Sequence, residues 1–208
     1  MADRRAQRRM DTIHEIVDIA LDLMADNGAA GLTLGAIAKR LGMQTPSLYS
    51  YFDSKAALCD EIFRRGWAEI GAHMMPARER LRTATHESFP DDLRFALQQY
   101  VAWALRHRAY AEIMFWRTIP GWAPTDEAMK ALVDDTQTVF EAVVELTDAG
   151  VVRGDPSEMA SLFAVLTTGI ITLALTDPPN VVSEFGQAQY LDRVAQVLVN
   201  TYAASADR

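Results

Sequence analysis

The stretch from Thr33 to Lys55, TLGAIAKRLGMQTPSLYSYFDSK, decides the fold. Its first part places apolar residues at i, i+3, i+4 and i+7, one face of an α-helix, at Leu34, Ile37, Ala38 and Leu41. Thr33 is a candidate N-cap for this helix. Gly42 ends the pattern, at a point where glycine can adopt the left-handed conformation of a sharp turn. A second helix is predicted directly afterwards, with Pro46 in its first turn.

The predicted pair of helices is a helix-turn-helix. Leu48 and Phe52 return to the buried side of the second helix, which leaves its polar and aromatic residues facing outward. A short helix of this kind can enter the major groove of DNA, where amide and hydroxyl groups read base edges. The candidate DNA-binding residues are Thr33, Gln44, Thr45, Pro46, Ser47, Tyr49, Ser50, Tyr51 and Lys55. The structural alternative is a helical hairpin that binds nothing.

The run LTLGAIAKRLGMQTPSLYSYFDSKAAL resembles the DNA-binding domain of the TetR family of bacterial transcriptional regulators. The matching positions are Thr33, the pair Ile37-Ala38, Gly42, Leu48-Tyr49 with Phe52, and Ser54-Lys55. The resemblance is tight over about the first quarter of the chain and extends beyond it only in length and all-helical pattern. Thr45 departs from the basic residue that the family often has there, and Asp53 adds a negative charge near the expected DNA backbone. Both departures concern the operator sequence and the affinity rather than the fold.

Charge is distributed unevenly along the 208 residues, half of which are hydrophobic. Residues 1–55 hold seven basic and seven acidic side chains, so the formal net charge of −8 belongs to residues 56–208. This balance argues against a protein that coats nucleic acid non-specifically. We therefore expect a helix-turn-helix DNA-binding domain at 1–55 and a helical ligand-binding and dimerisation domain at 56–208.

The chain is predicted to be cytoplasmic and to have no membrane span. Its single cysteine, Cys59, can form no intramolecular disulfide, and the charged N-terminus lacks the apolar run of a signal peptide. The longest apolar run, residues 162–175, contains polar interruptions and is too short to cross a bilayer of about 30 Å.

Helical periodicity continues to the end of the chain, and no alternation typical of strands is present. The fold class is therefore all-α, with about nine helices. The basic residues among the first ten are interpreted either as an arm that follows DNA phosphates or as a solvated, frayed terminus. The fourth helix is expected to stop near Pro76, so that residues 78–82 and 86–90 form a connecting segment.

No catalytic or metal-binding pattern is present, and no cofactor is expected. The four histidines lack the spacing that places two ligands on one helical face. The adjacent pairs Asp91-Asp92 and Asp134-Asp135 point in different directions on a helix, so they are interpreted as helix-capping and solvated acids.

Aromatic residues are dense between Tyr100 and Trp122, where Pro120, Gly121 and Pro124 break the helical pattern. These residues either fill the core of a helical bundle or surround an apolar ligand cavity with few polar groups. The resemblance implies a cavity in this domain, with ligand binding expected to move the fourth helix. The candidate ligand-binding residues are Trp67, Tyr100, Trp103, His107, Met114, Trp116, Arg117, Trp122, Gln137, Phe140 and Thr167.

The eighth predicted helix has Asp155 as its cap and Pro156 in its first position, and it runs to about Thr176. It is apolar on nearly all sides, so either a central position in a monomer or a two-fold dimer contact must cover it. The resemblance implies that the eighth and ninth helices pair with those of a second copy. The candidate dimer residues are Leu162, Val165, Leu166, Gly169, Ile170, Leu173, Leu191, Val194, Leu198 and Tyr202.

The sequence thus predicts a homodimeric repressor that binds a palindromic site in double-stranded DNA and is released by a small apolar or aromatic molecule. One alternative is a DNA-binding regulator or architectural protein without ligand control, for which a more basic chain is expected. Another is an enzyme or carrier with a vestigial helix-turn-helix, which would need a convergent set of polar residues that the sequence does not show.

Overall fold

The computed structural model describes residues 2–176 and 184–204. Within these two ranges the chain forms α-helices and no strand, apart from an isolated antiparallel bridge between Val152 and Ala203. The all-α prediction is confirmed. The helices of the described ranges are α1 (Ala2–Asn27), α2 (Leu34–Leu41), α3 (Thr45–Leu48), α4 (Lys55–Arg82), α5 (Phe89–Arg106), α6 (Arg108–Ala111), α7 (Asp126–Asp148), α8 (Pro156–Thr176) and α9 (Glu184–Tyr202).

The chain divides into two compact units. The first unit comprises Met1–Trp67 and His107–Ala131, and the second comprises Ala68–Arg106 and Leu132–Arg208. The division therefore falls within α4, and α6 with its neighbouring segment belongs to the first unit. The domain boundary predicted between residues 55 and 56 does not coincide with this division. The assignment of DNA binding to residues 1–55 and of ligand binding and dimerisation to residues 56–208 stays a prediction.

Helix α1 begins much earlier than the apolar periodicity indicated. It includes residues 4–9 with their four arginines, so these arginines lie on a helix, and their contact with DNA phosphates stays a prediction. Its buried face carries Ile16, Val17, Ala20 and Met24, and α1 packs against α2. The helix ends before Gly28, which has a φ of 65°.

The first unit also contains a cluster of aromatic side chains on α4 and the segment 112–122. Phe63 lies edge-on to both Trp67 and Trp122, with ring centroids 6.1 Å apart in each pair. Asp60 fixes the same segment, because its Oδ1 accepts a hydrogen bond from Trp122 Nε1 at 3.0 Å and its Oδ2 accepts one from Thr125 Oγ1 at 2.8 Å. Helix α6 in this unit is four residues long and continues as a π-helical turn, Glu112–Trp116.

In the second unit, α4 does not stop at Pro76 but continues to Arg82. Proline removes one backbone donor and strains the helix locally, and this helix accommodates it. The prediction that residues 78–82 connect two elements was therefore wrong. Helix α5 begins at Phe89 after reciprocal capping bonds, in which Ser88 N donates to Thr85 Oγ1 and Thr85 N donates to Ser88 Oγ.

Helix α8 begins where the sequence predicted, with Asp155 as its cap and Pro156 in the first helical position. Asp155 Oδ1 accepts a hydrogen bond from Ser157 N at 2.8 Å. Helix α5 packs against both α8 and α9, and α8 packs against α9. Leu97, Ile171 and Leu198 from these three helices are fully buried and form the centre of the second unit.

Candidate functional sites

The helix-turn-helix has the local geometry that its sequence predicted. Thr33 Oγ1 accepts a hydrogen bond from Ala36 N at 3.1 Å and so caps α2. Gly42 ends α2 in the left-handed conformation, with a φ of 67°. The turn then leads into α3, and backbone bonds from residues 50–52 back to Ser47 and Leu48 extend its helical path by about one turn. Leu48 and Phe52 are buried, so they hold this short segment against the core of the first unit.

The structure places the nine predicted DNA-binding residues around this segment. Thr33 caps α2, Lys55 begins α4, and the other seven lie on α3 or on the turns that flank it. Six of the nine are exposed: Thr33, Gln44, Pro46, Ser47, Tyr49 and Ser50. Thr45, Tyr51 and Lys55 are half-buried. Gln44 precedes α3, where its side chain makes no capping bond.

Helix α1 adds a basic groove beside this segment. Arg9 Nη1 donates a hydrogen bond to Ser50 O at 2.9 Å, and its guanidinium lies over the Tyr51 ring at 5.1 Å from the centroid. Arg5 and Arg8 line the same groove. Arg9 thereby fixes the basic end of α1 next to α3, a role that the sequence alone did not reveal because its partners lie more than forty positions away.

A second candidate site is an apolar cavity inside the second unit, with a volume of about 70 Å³. Its lining comes from α4, α5, α7, α8 and α9 and is dominated by aliphatic, methionine and phenylalanine side chains. The lining residues are Met74, Arg78, Leu81, Phe89, Leu93, Ala96, Tyr100, Asp135, Val139, Ala142, Val143, Leu146, Met159, Phe163 and Leu198.

The charged residues among these lining residues, Arg78 and Asp135, form an ion pair with each other. Arg78 Nη2 on α4 lies 2.5 Å from Asp135 Oδ1 on α7, and the two side chains are only 14% and 10% exposed. Arg78 Nη1 also donates to Gly71 O at 3.4 Å. Burial raises the pKa of Asp135, and the charge of Arg78 offsets part of that rise. Burial also raises the pKa of Tyr100, with a further contribution from the Asp135 carboxylate.

The interpretation of both aspartate pairs as capping and solvated acids was wrong for one member of each. Asp135 lies in the cavity wall, and Asp92 is 7% exposed and accepts a hydrogen bond from Arg80 Nε at 2.9 Å. Each is opposed by an arginine of α4, Arg78 for Asp135 and Arg80 for Asp92, and both arginines lie in the helical segment 78–82.

Of the predicted ligand-binding residues, Tyr100 lines the cavity. The other ten are not among its lining residues: Trp67, Trp103, His107, Met114, Trp116, Arg117, Trp122, Gln137, Phe140 and Thr167. The first unit contains six of these ten, so the tryptophans do not gather around this cavity.

Several of these ten side chains have contacts that explain their positions. Trp67 packs edge-on against Phe115, with ring centroids 5.7 Å apart. Gln137 is exposed and donates to Glu141 Oε1, and Thr167 Oγ1 donates back to Phe163 O in its own helix. Arg117 is exposed, with a positive φ of 49°. Ligand contacts by these residues stay predictions.

A third candidate site is an apolar face on α8 and α9 of the second unit. Val165 is 67% exposed, Leu173 44%, Tyr190 51% and Val197 52%. Gly169 is exposed, while Leu162, Leu166 and Val194 are half-buried and Ile170 is 9% exposed. A groove on this face is lined by Val165, Leu166, Gly169, Ile170, Leu173, Ala174, Tyr190 and Val194.

Three predicted dimer residues do not lie on this face. Leu191, Leu198 and Tyr202 are buried within the second unit, and Leu198 also lines the cavity. The periodicity of α9 identified an apolar face correctly, but that face packs into the second unit of its own chain. The outward-facing Tyr190 and Val197 take their place on the exposed surface.

Helix α8 is long and apolar enough to cross a membrane when judged by length and composition alone, over residues Pro156–Leu175. This run is longer than the apolar run 162–175, because the helix begins at Pro156, six residues before Leu162. Most of its residues are half-buried or exposed rather than buried. However, Met159, Thr167 and Ile171 are buried against the rest of the unit, so α8 has a protein-facing side as well as an open one.

Among the residues that the structure describes, no three His, Cys, Asp or Glu side chains come together as a metal site. Cys59 is buried, and its burial raises the pKa of the thiol to about 11, which leaves it protonated at neutral pH.

Comparison with known proteins agrees with the geometry. Residues 16–62 match the family of bacterial regulatory proteins described as the tetR family, and residues 93–200 match the tetracyclin repressor-like C-terminal domain. The HTH-type transcriptional regulator Rv1816 of Mycobacterium tuberculosis is 26% identical over 153 residues, which is 73% of this chain and 62% of that protein. The tetracycline repressor protein class D of Escherichia coli is 27% identical over 79% of this chain and 69% of its own length.

Solved structures share the fold. A bacterial regulatory protein in the tetR family from Rhodococcus RHA1 has a TM-score of 0.69 at 19% identity, over 93% of this chain and 97% of that one. The match to the mycobacterial regulator covers less than two thirds of that relative's length. The two family matches of this chain include the helix-turn-helix, and together they cover more than half of the 208 residues. The chain therefore belongs to the TetR family of bacterial transcriptional regulators.

Proposed function

We propose that this protein is a cytoplasmic, homodimeric repressor that binds a palindromic operator and is released from it by a small molecule. The observation that carries the proposal is the exposed helix-turn-helix in a chain whose second unit has both an apolar cavity and an exposed apolar face. Family membership supports transcriptional regulation. The operator, the dimer and the ligand control are parts of the proposal.

In this proposal, α3 lies in the major groove, with Gln44, Thr45 and Ser47 at base edges. Tyr49 and Lys55 contact phosphates, and the groove of Arg5 and Arg8 beside Ser50 adds further phosphate contacts. A two-fold dimer places its two recognition helices roughly 34–36 Å apart, one turn of B-DNA, or at a close multiple.

Base reading by α3 can be tested by selecting bound duplexes from a random DNA library. The wild type is expected to enrich a palindrome, whereas a Gln44→Ala/Thr45→Ala/Ser47→Ala variant should lose preference at the bases these side chains contact, by about 1–3 kcal/mol for a bidentate contact. Tyr49→Ala is the matched comparison: it should weaken binding to every duplex and leave the selected sequence unchanged. Identical selection by the wild type and the triple variant would contradict the assignment.

A second copy of this chain is the proposed partner of the open face on α8 and α9. Val165, Leu173, Tyr190 and Val197 expose large apolar side chains along two adjacent helices, as a self-complementary two-fold contact requires. A lipid environment fits less well, because α8 buries residues against its own unit on the opposite side.

Ligand control would act through α4, which has Lys55 at one end and Met74, Arg78 and Leu81 in the cavity wall. A ligand changes the equilibrium between two arrangements only through its different affinity for them. A change from 1:99 to 99:1 needs about 5.5 kcal/mol, or roughly 2.8 kcal/mol for each of two sites. Burial of a few apolar groups can supply this free energy.

Linkage provides the test of ligand control. Any molecule that binds in the cavity, as detected by the methyl NMR signals of Met74 and Met159, is expected to bind more weakly when the selected operator is present. The weakening must equal the factor by which the molecule lowers operator affinity. Ala142→Phe, which fills the cavity, should abolish both effects. Equal ligand affinity with and without operator would show that the cavity is not coupled to DNA.

The same experiments separate this proposal from its alternatives. A regulator or architectural protein without ligand control would bind DNA with no response to any cavity ligand. An enzyme or carrier with a vestigial helix-turn-helix would enrich no duplex. The exposed side chains of α3 and the basic groove beside them favour the regulator.

A further inference from the structure

The cavity of the second unit has a distinctive chemical pattern: an apolar wall with one neutralised ion pair. Of the fifteen lining residues in the described part of the chain, only Arg78, Tyr100 and Asp135 carry strongly polar groups. Arg78 and Asp135 are both largely buried and face each other directly. The described lining therefore has two formal charges that cancel, and none of its residues carries an unopposed charge with which a ligand ion could pair.

This arrangement discriminates between ligands by charge. A carboxylate would have to pair with Arg78 and an ammonium with Asp135, and either would leave the other member of the pair as an uncompensated buried ion. The entering ion would also lose its hydration. An uncharged hydroxyl or carbonyl avoids both penalties, because it can bond to the pair without separating it.

The ion pair keeps hydrogen-bonding capacity for such a group. A guanidinium has five N–H donors, and the two bonds described for Arg78 use its Nη1 and Nη2. A carboxylate has about four lone-pair positions, and a single bond from an arginine occupies only one of them. A ligand hydroxyl could therefore accept from Arg78 and donate to Asp135 while its hydrocarbon part lies among Leu81, Leu93 and Val139.

We propose that the cavity selects uncharged, mainly hydrocarbon molecules that carry a single hydrogen-bonding group placed against Arg78 and Asp135. This inference rests on the proposed ligand-binding function and names the class of ligand. A volume of about 70 Å³ has room for roughly five to seven water-sized groups, so ligands that fit the cavity as it stands are compact.

Three probes of equal chain length test the charge selectivity: hexan-1-ol, hexanoate and hexylammonium, each titrated into the full-length protein at neutral pH. The readout is the methyl NMR signals of Met74 and Met159, which line the cavity, with Met10 as an exposed reference in the first unit. Hexan-1-ol is expected to shift the two cavity signals with a Kd at least about tenfold below that of either ion.

Two reciprocal variants sharpen the test. Asp135→Asn leaves Arg78 without its counter-ion, so hexanoate should bind this variant at least about tenfold more tightly than it binds the wild type. Arg78→Gln should favour hexylammonium in the same way. Ala142→Phe serves as the cavity-filling control and should remove the response to all three probes, and circular dichroism checks that each variant is folded.

The wild-type titrations decide the outcome even where a variant does not fold. If either ion binds the wild type as tightly as hexan-1-ol and shifts Met74 and Met159, the inference of an uncharged ligand is overturned while the ligand cavity itself stands. If none of the three probes moves these two signals, the cavity does not take small molecules, and the ligand-binding part of the proposed function fails with it.

Discussion

Gly169→Arg is expected to convert the protein into a folded monomer and to reduce its operator affinity by about a thousandfold or more. Gly169 lies on the exposed face of α8, and a Cβ added there meets no atom within 4 Å in its own subunit. The arginine is therefore tolerated by the isolated subunit, but in a two-fold contact it would lose its hydration without gaining a partner. Loss of the second recognition helix removes most of the margin between specific and non-specific binding.

Sedimentation velocity and operator titration of the same samples check this result. Val133→Arg on α7 is the matched control, because Val133 is 58% exposed but lies outside the face on α8 and α9. It should leave the dimer and its DNA binding intact. Ile170→Glu is a less informative variant, because Ile170 is 9% exposed in the subunit and the change would also disturb its own packing. A dimeric Gly169→Arg protein would remove α8 from the interface.

Arg78→Met is expected to lower the free energy of unfolding by about 3–5 kcal/mol, because it leaves the Asp135 carboxylate buried without its counter-ion. Burial already raises the pKa of Asp135, and removal of Arg78 should raise it further. Because the pKa of Asp135 is higher in the folded than in the unfolded protein, ionisation of this carboxyl lowers the free energy of unfolding. This loss of stability is largest at high pH and is absent below the unfolded pKa, where the acid is protonated in both states. The destabilisation should therefore shrink as the pH falls towards about 4.

Urea unfolding at fixed protein concentration measures these differences. Arg82→Met is the matched control, since Arg82 also pairs with a residue of α7, Glu145, but both side chains are at least half exposed. It should change stability by no more than about 1 kcal/mol. Arg78→Met/Asp135→Leu should recover most of the lost stability, because an apolar pair suits this cavity. Equal effects of Arg78→Met and Arg82→Met would show that the buried pair has no special energetic role.

The helix-turn-helix could be predicted because short-range chemistry determines it. The capping bond of Thr33 spans three residues, and the left-handed turn at Gly42 depends on the absence of a side chain at one position. Leu48 and Phe52 are separated by one helical turn and face the same core. Interactions within a segment of about twenty residues therefore determine most of the local structure of the helix-turn-helix.

The cavity could not be predicted in the same way, because its chemistry depends on distant partners. Arg78 and Asp135 are 57 positions apart, and each taken alone has the features of a solvated surface charge. Proline usually ends a helix, so the sequence did not predict that α4 continues past Pro76 and places Arg78 next to α7. Helix α9 has apolar residues on two sides. Periodicity alone could not show which side packs against the rest of the chain and which side is exposed.

The first unit is assembled from two pieces of chain that are separated by about forty residues. Asp60 joins these pieces through Trp122 and Thr125, and Phe63 packs against Trp122. On the ribosome, the DNA-binding helices therefore emerge well before the segment that completes their own unit. At about 5–20 residues per second, the roughly sixty residues between Trp67 and Ala131 take about 3–13 s to synthesise. For that interval Phe63 lacks Trp122 and Trp67 lacks Phe115, so we expect both aromatic side chains to be exposed in the nascent chain.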